Sequence, residues 1–341
     1  MLGTFWTQDE LFGVLDERYE LEGAFSAPQQ NTTGTAMTWL VECVDDHAVR
    51  VTQYLDRMTL PAAACALDMS EYCRAAGLLV PRVHADAAGH LLSDGGLHGV
   101  CSVTEVAGGT PITRPYTLHQ ARHLGLGLGQ MHDVLPCFPL PSPAPGHEES
   151  AWAALTMEQA LALHEAAAWS AVSRGARDSQ IAGPLQAIRE CLPRHLAELR
   201  EAVSRYGELT AHAIHGAYLP PYVRATVAKP VVTNFQARHG YLCWEAGRAA
   251  FEVRTVAEGE EWQECAIEFL SAYRRAYPDF PERELAACSR VALLEFLCTP
   301  VSSALPSAWE QRATAVGRLL EALPELDEAF GRLDAPPRRA A

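Results

Sequence analysis

The sequence predicts an α+β protein in two parts, a small β-rich unit over 1–107 and a mostly helical unit over 108–341. Three observations predict it. Runs rich in β-branched and aromatic residues fall early, at Ala36 to Val44, Ala48 to Tyr54 and Gly99 to Val106. From Thr117 onward the apolar residues instead recur three and four apart, as one face of a helix requires. The length of 341 residues suits two domains or one bilobal one, and is enough to bury a core without disulfides or metals.

In the first unit, the polar stretch Gln29 to Thr35 reads as a loop, and Asp45-Asp46-His47 reads as the hairpin turn between the first two strands. A helix is predicted to start at Thr59, with Pro61 in its first turn, where a missing N–H costs nothing, and to stop at Gly77. Val80-Pro81-Arg82-Val83 leads into a further strand, and Gly108-Gly109 breaks the pattern. In the second unit Leu118, Ala121, Leu124, Leu128, Met131 and Leu135 form one helix face. Gly125, Gly127 and Gly129 lie within it with no strand before them, which points to close helix packing and not to a nucleotide-binding turn. The proline-rich run Pro136 to Gly146 reads as a rigid surface connection. Helical patterns follow near 148–175, 180–206, 258–277, 283–298 and 307–331, and 211–257 reads as β-like and irregular.

Composition narrows the function. A formal net charge of -15 argues against nucleic acid or an anionic membrane as partner. Lys229 is the only lysine, so a phosphate-gripping lysine would have to be that one. The ten cysteines form no Cys-x-x-Cys pair, which leaves no zinc-ribbon or thioredoxin-like motif. His212, His215 and His239 match no zinc spacing and are assigned structural roles, and His119 and His123 are assigned to the surface. Met1 to Glu10 lacks a signal-peptide pattern and no 18-residue uncharged apolar stretch occurs, so a cytoplasmic location is expected.

Five short pieces then occur in a particular order. Val49-Arg50-Val51 sits in a strand, Glu71 lies ten residues before Pro81, and Val103-Thr104-Glu105-Val106-Ala107 precedes Gly108-Gly109. Leu128-Gly129-Gln130-Met131-His132 ends a helix, and Ala213-Ile214-His215-Gly216-Ala217-Tyr218-Leu219-Pro220 follows. Over roughly residues 20–300 these pieces resemble the aminoglycoside phosphotransferase and choline kinase superfamily, distant relatives of protein kinases. The resemblance implies a bilobal, protein-kinase-like fold. It implies Arg50 as the phosphate-contacting cation paired with Glu71, Glu105 and Ala107 at a nucleotide-binding hinge, and 213–222 as the catalytic loop.

Against the family's "H-G-D-x-x-P/H-x-N" loop, His215 and Gly216 are kept, but Ala217 stands at the catalytic aspartate and Tyr222 at the metal-binding asparagine. Two registers are open for the second metal-binding aspartate. Asn234 takes that place in Val232-Thr233-Asn234-Phe235, or Cys243 takes it in Tyr241-Leu242-Cys243-Trp244-Glu245. The second is preferred because Phe251-Glu252-Val253 then resembles the helix start that follows in the family. Neither register restores the residue, since no aspartate lies between Asp178 and Asp279.

Phosphoryl transfer in kinases rests on magnesium held by an aspartate and an asparagine, with a further aspartate taking the hydroxyl proton. Alanine accepts no proton, and tyrosine and cysteine are poor ligands for a hard cation. No metal or cofactor is therefore expected, with weak Mg-ATP binding left open. What the resemblance leaves is a cleft between lobes, the usual place for a ligand. Ala217, Tyr218, Tyr222, Phe235 and Trp244 would make its wall more apolar and aromatic. The expected ligand-binding set is His215, Tyr218, Tyr222, Phe235, Trp244 and Glu245, with Trp152, which follows Glu148-Glu149 where family members build an acceptor pocket. The resemblance thus implies a small-molecule partner, an antibiotic or other natural product, sequestered without modification. That is self-resistance of the kind that accompanies azinomycin biosynthesis. An aromatic, weakly basic compound would suit the wall and the acidic surface. Two other readings stay open: an active antibiotic O-phosphotransferase using atypical residues such as Glu245 or Glu252, and a pseudokinase scaffold with an exposed apolar patch. The oligomeric state is open as well.

Overall fold

A computed structural model describes residues 6–21, 29–32, 36–43, 48–94, 99–141 and 151–333. The chain opens with helix α1 (Gln8–Tyr19), which the sequence reading did not assign. Thr7 and Glu10 cap it reciprocally, satisfying two of the amide groups that a helix start leaves unpaired. Strands β1 (Gln29–Thr32), β2 (Ala36–Glu42) and β3 (Ala48–Tyr54) follow, then helix α2 (Leu60–Ala75) and strands β4 (Val83–His84), β5 (Ser93–Asp94) and β6 (Val100–Glu105). They form one antiparallel sheet in the order β1-β2-β3-β6-β4, with β5 also on β6. Gln29–Thr32, expected as loop, is thus an edge strand on β2. The expected turn at 45–47 lies outside the described residues, though β2 and β3 do pair antiparallel from Ala36↔Tyr54 to Glu42↔Ala48.

Side chains alternate across a strand, so this sheet has two unlike faces. Met37, Trp39, Val41, Val49, Val51, Cys101 and Val103 point one way and pack with Leu11, Leu15 and Tyr19 of α1 into a closed core. The other face carries Ala36, Thr38, Arg50, Thr52 and Tyr54, and forms one wall of a cleft. The same period of two that builds the small core therefore places Arg50 over the gap between lobes.

The larger part holds helices α3 (Leu118–Val134), α4 (Ala151–Ala154), α5 (Met157–Ser173), α6 (Asp178–Ser204), α7 (Leu242–Ala250), α8 (Val253–Glu258), α9 (Trp262–Ala276), α10 (Arg283–Cys298) and α11 (Pro306–Leu333). Thr117 and Gln120 cap α3, and α10 lies at the centre with both faces buried. The α3 glycines do what their context predicts: a Cβ on Gly125 would collide with the Phe269 carbonyl, and one on Gly129 with the Tyr273 carbonyl, both on α9. Glycine lets two backbones approach where any side chain would push them apart. Short strands complete this lobe: β7 (Thr110–Pro111), β8 (Ala211–Ile214), β9 (Val223–Ala225), β10 (Val231–Val232) and β11 (Arg238–Tyr241). The β9–β10 hairpin extends to β7, and β11 pairs with β8, setting Arg238 opposite Ile214. The segment 211–257, expected as irregular, thus holds two hairpin-like pairs followed by two helices. The described cysteines are free thiols, most of them buried. No helix among the described residues is long and apolar enough to cross a membrane.

Candidate functional site

A cleft of about 1010 Å³ lies between the lobes. Its roof is the open face of β2 and β3, and one side is α2 through Thr59, Ala62, Ala63 and Ala66. Val106 and Ala107, where the chain passes from β6 into the large lobe, form its back edge. The floor is built from Pro221, Tyr222 and Arg224 together with the run Thr233 to Arg238. Two strand pairs deliver that floor: β9–β10 carries Arg224 and releases the chain at Thr233, and β11 takes it up again at Arg238.

The electrostatics are one-sided. Arg50, Arg224 and Arg238 line the cleft, and none of its lining residues is an aspartate or glutamate. Arg50 Nε is buried without a hydrogen-bond partner. Burial, with the nearby Arg224 charge, pushes the Arg50 pKa down. Arg224 is fixed by donating from Nε to the Gly108 carbonyl at 3.0 Å and from Nη2 to the Gly109 carbonyl at 2.7 Å. Arg238 lies over the Trp244 ring at 3.9 Å from its centroid, with Arg248 at 4.3 Å from the same ring. In a chain of net charge -15, three of the 27 lysines and arginines line this groove and no carboxylate does among the described residues. The sign of the cleft lining thus differs from that of the whole surface, on which the expectation of a weakly basic ligand was based.

Beneath the floor, the His215-Gly216 loop is held in place by one carboxylate. Glu245 on α7 accepts from the Gly216 N–H at 2.6 Å, from the His215 N–H at 3.1 Å and from His132 Nε2 at 3.1 Å. His132 in turn meets the Tyr273 hydroxyl at 2.7 Å through Nδ1. Burial alone would raise the Glu245 pKa, but the His132 hydrogen bond and the surrounding positive groups hold it down, to about 2. His215 accepts the Ala217 N–H at Nδ1 (3.0 Å) and reaches the Thr233 carbonyl through Nε2 (3.1 Å). Those partners demand a neutral ring with its proton on Nε2. Burial agrees, pushing its pKa down to about 4. Gly216 sits at φ +82, where an added Cβ would strike the Gln236 carbonyl, so the loop is locked against the cleft floor.

The structure sorts the expected residues. Tyr222 and Phe235 line the cleft, as do Asn234, Arg50 and Ala107. His215, Tyr218, Glu245, Trp244 and Trp152 are buried and lie outside the lining. Tyr218 donates to the Leu124 carbonyl at 2.9 Å, Trp244 Nε1 donates to Glu295 at 3.1 Å, and Trp152 packs against Tyr241. Glu148 and Glu149, expected beside Trp152, lie outside the described residues. The preferred register is corrected: Cys243 is fully buried within α7, whereas Asn234 follows the β9–β10 hairpin into the cleft in a left-handed conformation, φ 59. The Arg50–Glu71 pair is corrected too. Glu71 binds Arg74 at 2.7 Å and accepts the Val83 N–H at 2.7 Å on β4, which β6 separates from the Arg50 strand β3. Glu105 accepts from the Arg82 N–H at 3.4 Å and does not line the cleft. Ala217 is buried at the loop's end. The sequence reading missed Arg224 and Arg238. Their signal was the absence of any acidic residue between Glu208 and Glu245.

The fold invites a test for magnesium and nucleotide, and the residues do not fit the metal. No group of three or more His, Cys, Asp or Glu among the described residues could hold a metal ion. Glu245 spends its oxygens on the loop, and Glu252 spends Oε2 on Thr255 as a helix cap while its other oxygen lies 3.5 Å from Arg114.

No protein-family model matches the sequence, and no curated protein does. Solved structures match over nearly the whole length. An amicoumacin kinase in complex with AMP-PNP, calcium and the antibiotic aligns with TM-score 0.62 at 11% identity, covering 96% of this chain and 97% of that one. An aminoglycoside phosphotransferase from Alicyclobacillus acidocaldarius aligns with TM-score 0.61 at 14% identity, covering 91% and 95%. The chain has the aminoglycoside phosphotransferase fold. A spectinomycin phosphotransferase in complex with ADP and spectinomycin shares this phosphotransferase fold at TM-score 0.56 and 10% identity, over 96% of this chain and 97% of that one. At these identities the likeness is one of overall fold.

Proposed function

We propose that this chain is a binding protein that holds a small molecule, an antibiotic or related natural product, in the inter-lobe cleft without phosphorylating it. The observation that carries the reading is the lining itself: three arginines, several threonines and aromatic rings, and no carboxylate among the described residues. A phosphotransferase of this architecture needs a carboxylate to hold magnesium and another to take the proton from the attacking hydroxyl. Asn234 offers one neutral oxygen, and Ala217 offers none. Removing a general base alone costs about 10²–10⁴-fold in rate, and here the metal site is missing with it. A cleft of this volume remains large enough to enclose a drug-sized molecule. An amicoumacin kinase and a spectinomycin phosphotransferase of similar fold are solved with antibiotic and nucleotide bound together. Sequestration would confer resistance by mass action, which requires protein in excess over drug.

The test is a two-part titration. Purified protein is incubated with Mg-ATP and a panel of antibiotics while ADP release and product mass are followed, and the same panel is titrated calorimetrically without nucleotide. Saturable heat with no mass change supports the reading. A product heavier by a phosphoryl group would establish a transferase, and a panel-wide absence of heat would favour a scaffold.

A further inference from the structure

We propose that the cleft's ligand is an organic anion, a carboxylate or phosphate ester on an aromatic frame, recognised by Arg50, Arg224 and Arg238 without a divalent cation. This rests on the binding reading above and gives it a substrate class. The argument begins with cost. Bringing like charges together in a partly desolvated groove is unfavourable unless something of opposite sign compensates. Carboxylates usually supply that compensation within a protein, and none lines this cleft among the described residues.

Arg224 is held by neutral partners alone, whereas Arg238 also feels the charges of Glu245 and Glu295 beneath the floor. Arg224 is oriented by the Gly108 and Gly109 carbonyls, which fix its plane but leave its charge in place. Arg238 rests on the Trp244 face. Glu245, the nearest buried carboxylate beneath the floor, is already engaged by two backbone amides and His132. Arg50 comes from the opposite lobe and leaves Nε buried and unpartnered. A guanidinium fork suits the paired oxygens of carboxylate and phosphate. Cations on both lobes mean that one anion bridging them would draw the lobes together.

The rest of the lining describes the frame of the ligand. Tyr54, Tyr222 and Phe235 offer ring surface, and Thr38, Thr52, Thr233, Asn234 and Gln236 offer hydrogen bonds. Polycationic ligands are disfavoured by the same charges. A magnesium ion would compete with the arginines for the anion and find no carboxylate of its own, so adding it should weaken binding.

A charge series on one frame tests this. Biphenyl-4-carboxylate, biphenyl-4-yl phosphate, biphenyl-4-methanol and biphenyl-4-methylamine are titrated calorimetrically in EDTA and again in excess magnesium. At least one anion should bind about tenfold or more tightly than the alcohol, the scale of a charged hydrogen bond. The amine should bind weakest, and affinity should fall with salt. Whichever of the two anions leads identifies the ligand's acid group. Arg50→Gln and Arg224→Gln should each cost about tenfold, while thermal stability stays level or rises as their mutual repulsion is relieved. Alcohol or amine binding as tightly as both anions would overturn the inference, as would anion binding that requires magnesium, or no binding by any of the four. The two proposals fail separately. Neutral or cationic antibiotics bound without turnover would keep the binding reading and sink the anion. An anion that binds, with a phosphoryl group transferred from Mg-ATP, would keep the anion and sink the binding reading.

Discussion

The cleft floor and the layer directly beneath it are built on opposite principles. Below, a single carboxylate, Glu245, has its oxygens engaged by two amides of the His215-Gly216 loop and by His132, which is itself anchored on Tyr273. Above, three arginines face the open groove with no carboxylate beside them among the lining residues. The lower layer is bonded within itself through Glu245; the upper one presents three cations to the groove. Precise support for a loop is therefore separable from the chemistry that the loop's face presents.

The largest expected effect breaks the lower layer. Glu245→Ala leaves two buried amides and a histidine without their acceptor, a loss of about 3–5 kcal/mol by the usual scale for a broken buried charge network. The urea midpoint should fall at nearly constant slope, and Arg224→Gln, in the upper layer, should not lower it. Equal effects from the two substitutions would erase the distinction between layers.

Acid should act on the same layer by a second route. Burial holds the pKa of His215 and His212 down to about 4 in the folded chain, against 6.5 for the free side chain. The unfolded chain therefore takes up protons first as pH falls. Stability is full above about 6.5 and drains away toward 4. At pH 5 the two together should cost about 2–4 kcal/mol. His212→Gln, which cannot titrate, should flatten the pH dependence of the urea midpoint by about one proton. A midpoint unchanged between pH 7 and 5 would mean that these rings are not buried neutral.

How much of this was legible beforehand depends on the kind of signal. Runs of β-branched residues marked β2 and β3, and the glycine row of α3 announced a close helix packing that the structure supplies with α9. Helix α1 was missed although Thr7 and Glu10 spell a capping box, because twelve residues containing Gly13 give only a weak apolar stripe. Helix α7 was hidden because it is only nine residues long and follows directly on strand β11, so Cys243 was read in a strand. The β9–β10 hairpin delivers Asn234 to the cleft, and two-residue strands such as β10 leave almost no pattern to read. Cleft charge was misjudged because net charge averages over the surface, while Arg224 and Arg238 meet only through folding.

In the upper layer, a carboxylate placed among the arginines sharpens the comparison. Asn234 is exposed in the cleft at φ 59, a conformation that aspartate tolerates nearly as well as asparagine. Asn234→Asp should leave stability within about 0.5 kcal/mol, as surface changes do. Its new charge should weaken binding of an anionic probe about tenfold, or about 1.4 kcal/mol. Calorimetry of biphenyl-4-yl phosphate measures this, and tighter binding in the variant would reverse the sign assigned to the cleft.

The smallest effect belongs to Glu71, and its smallness is the point. In a phosphotransferase-like small lobe this glutamate was expected to neutralise the strand cation, so its loss would free Arg50 and alter the cleft. Here Glu71 serves the sheet edge, with Oε1 accepting the Val83 N–H and Oε2 taking the Arg74 guanidinium. Glutamine keeps an oxygen for Val83 and forfeits only a partly exposed ion pair. Glu71→Gln should therefore cost less than about 1 kcal/mol of stability and leave anion affinity within about twofold, well inside the factor of ten that 1.4 kcal/mol represents. A tenfold gain or loss in affinity would couple Glu71 to Arg50 after all. The cation at the cleft roof would then be one half of an internal pair, and the case for an anion from outside would lose its most exposed support.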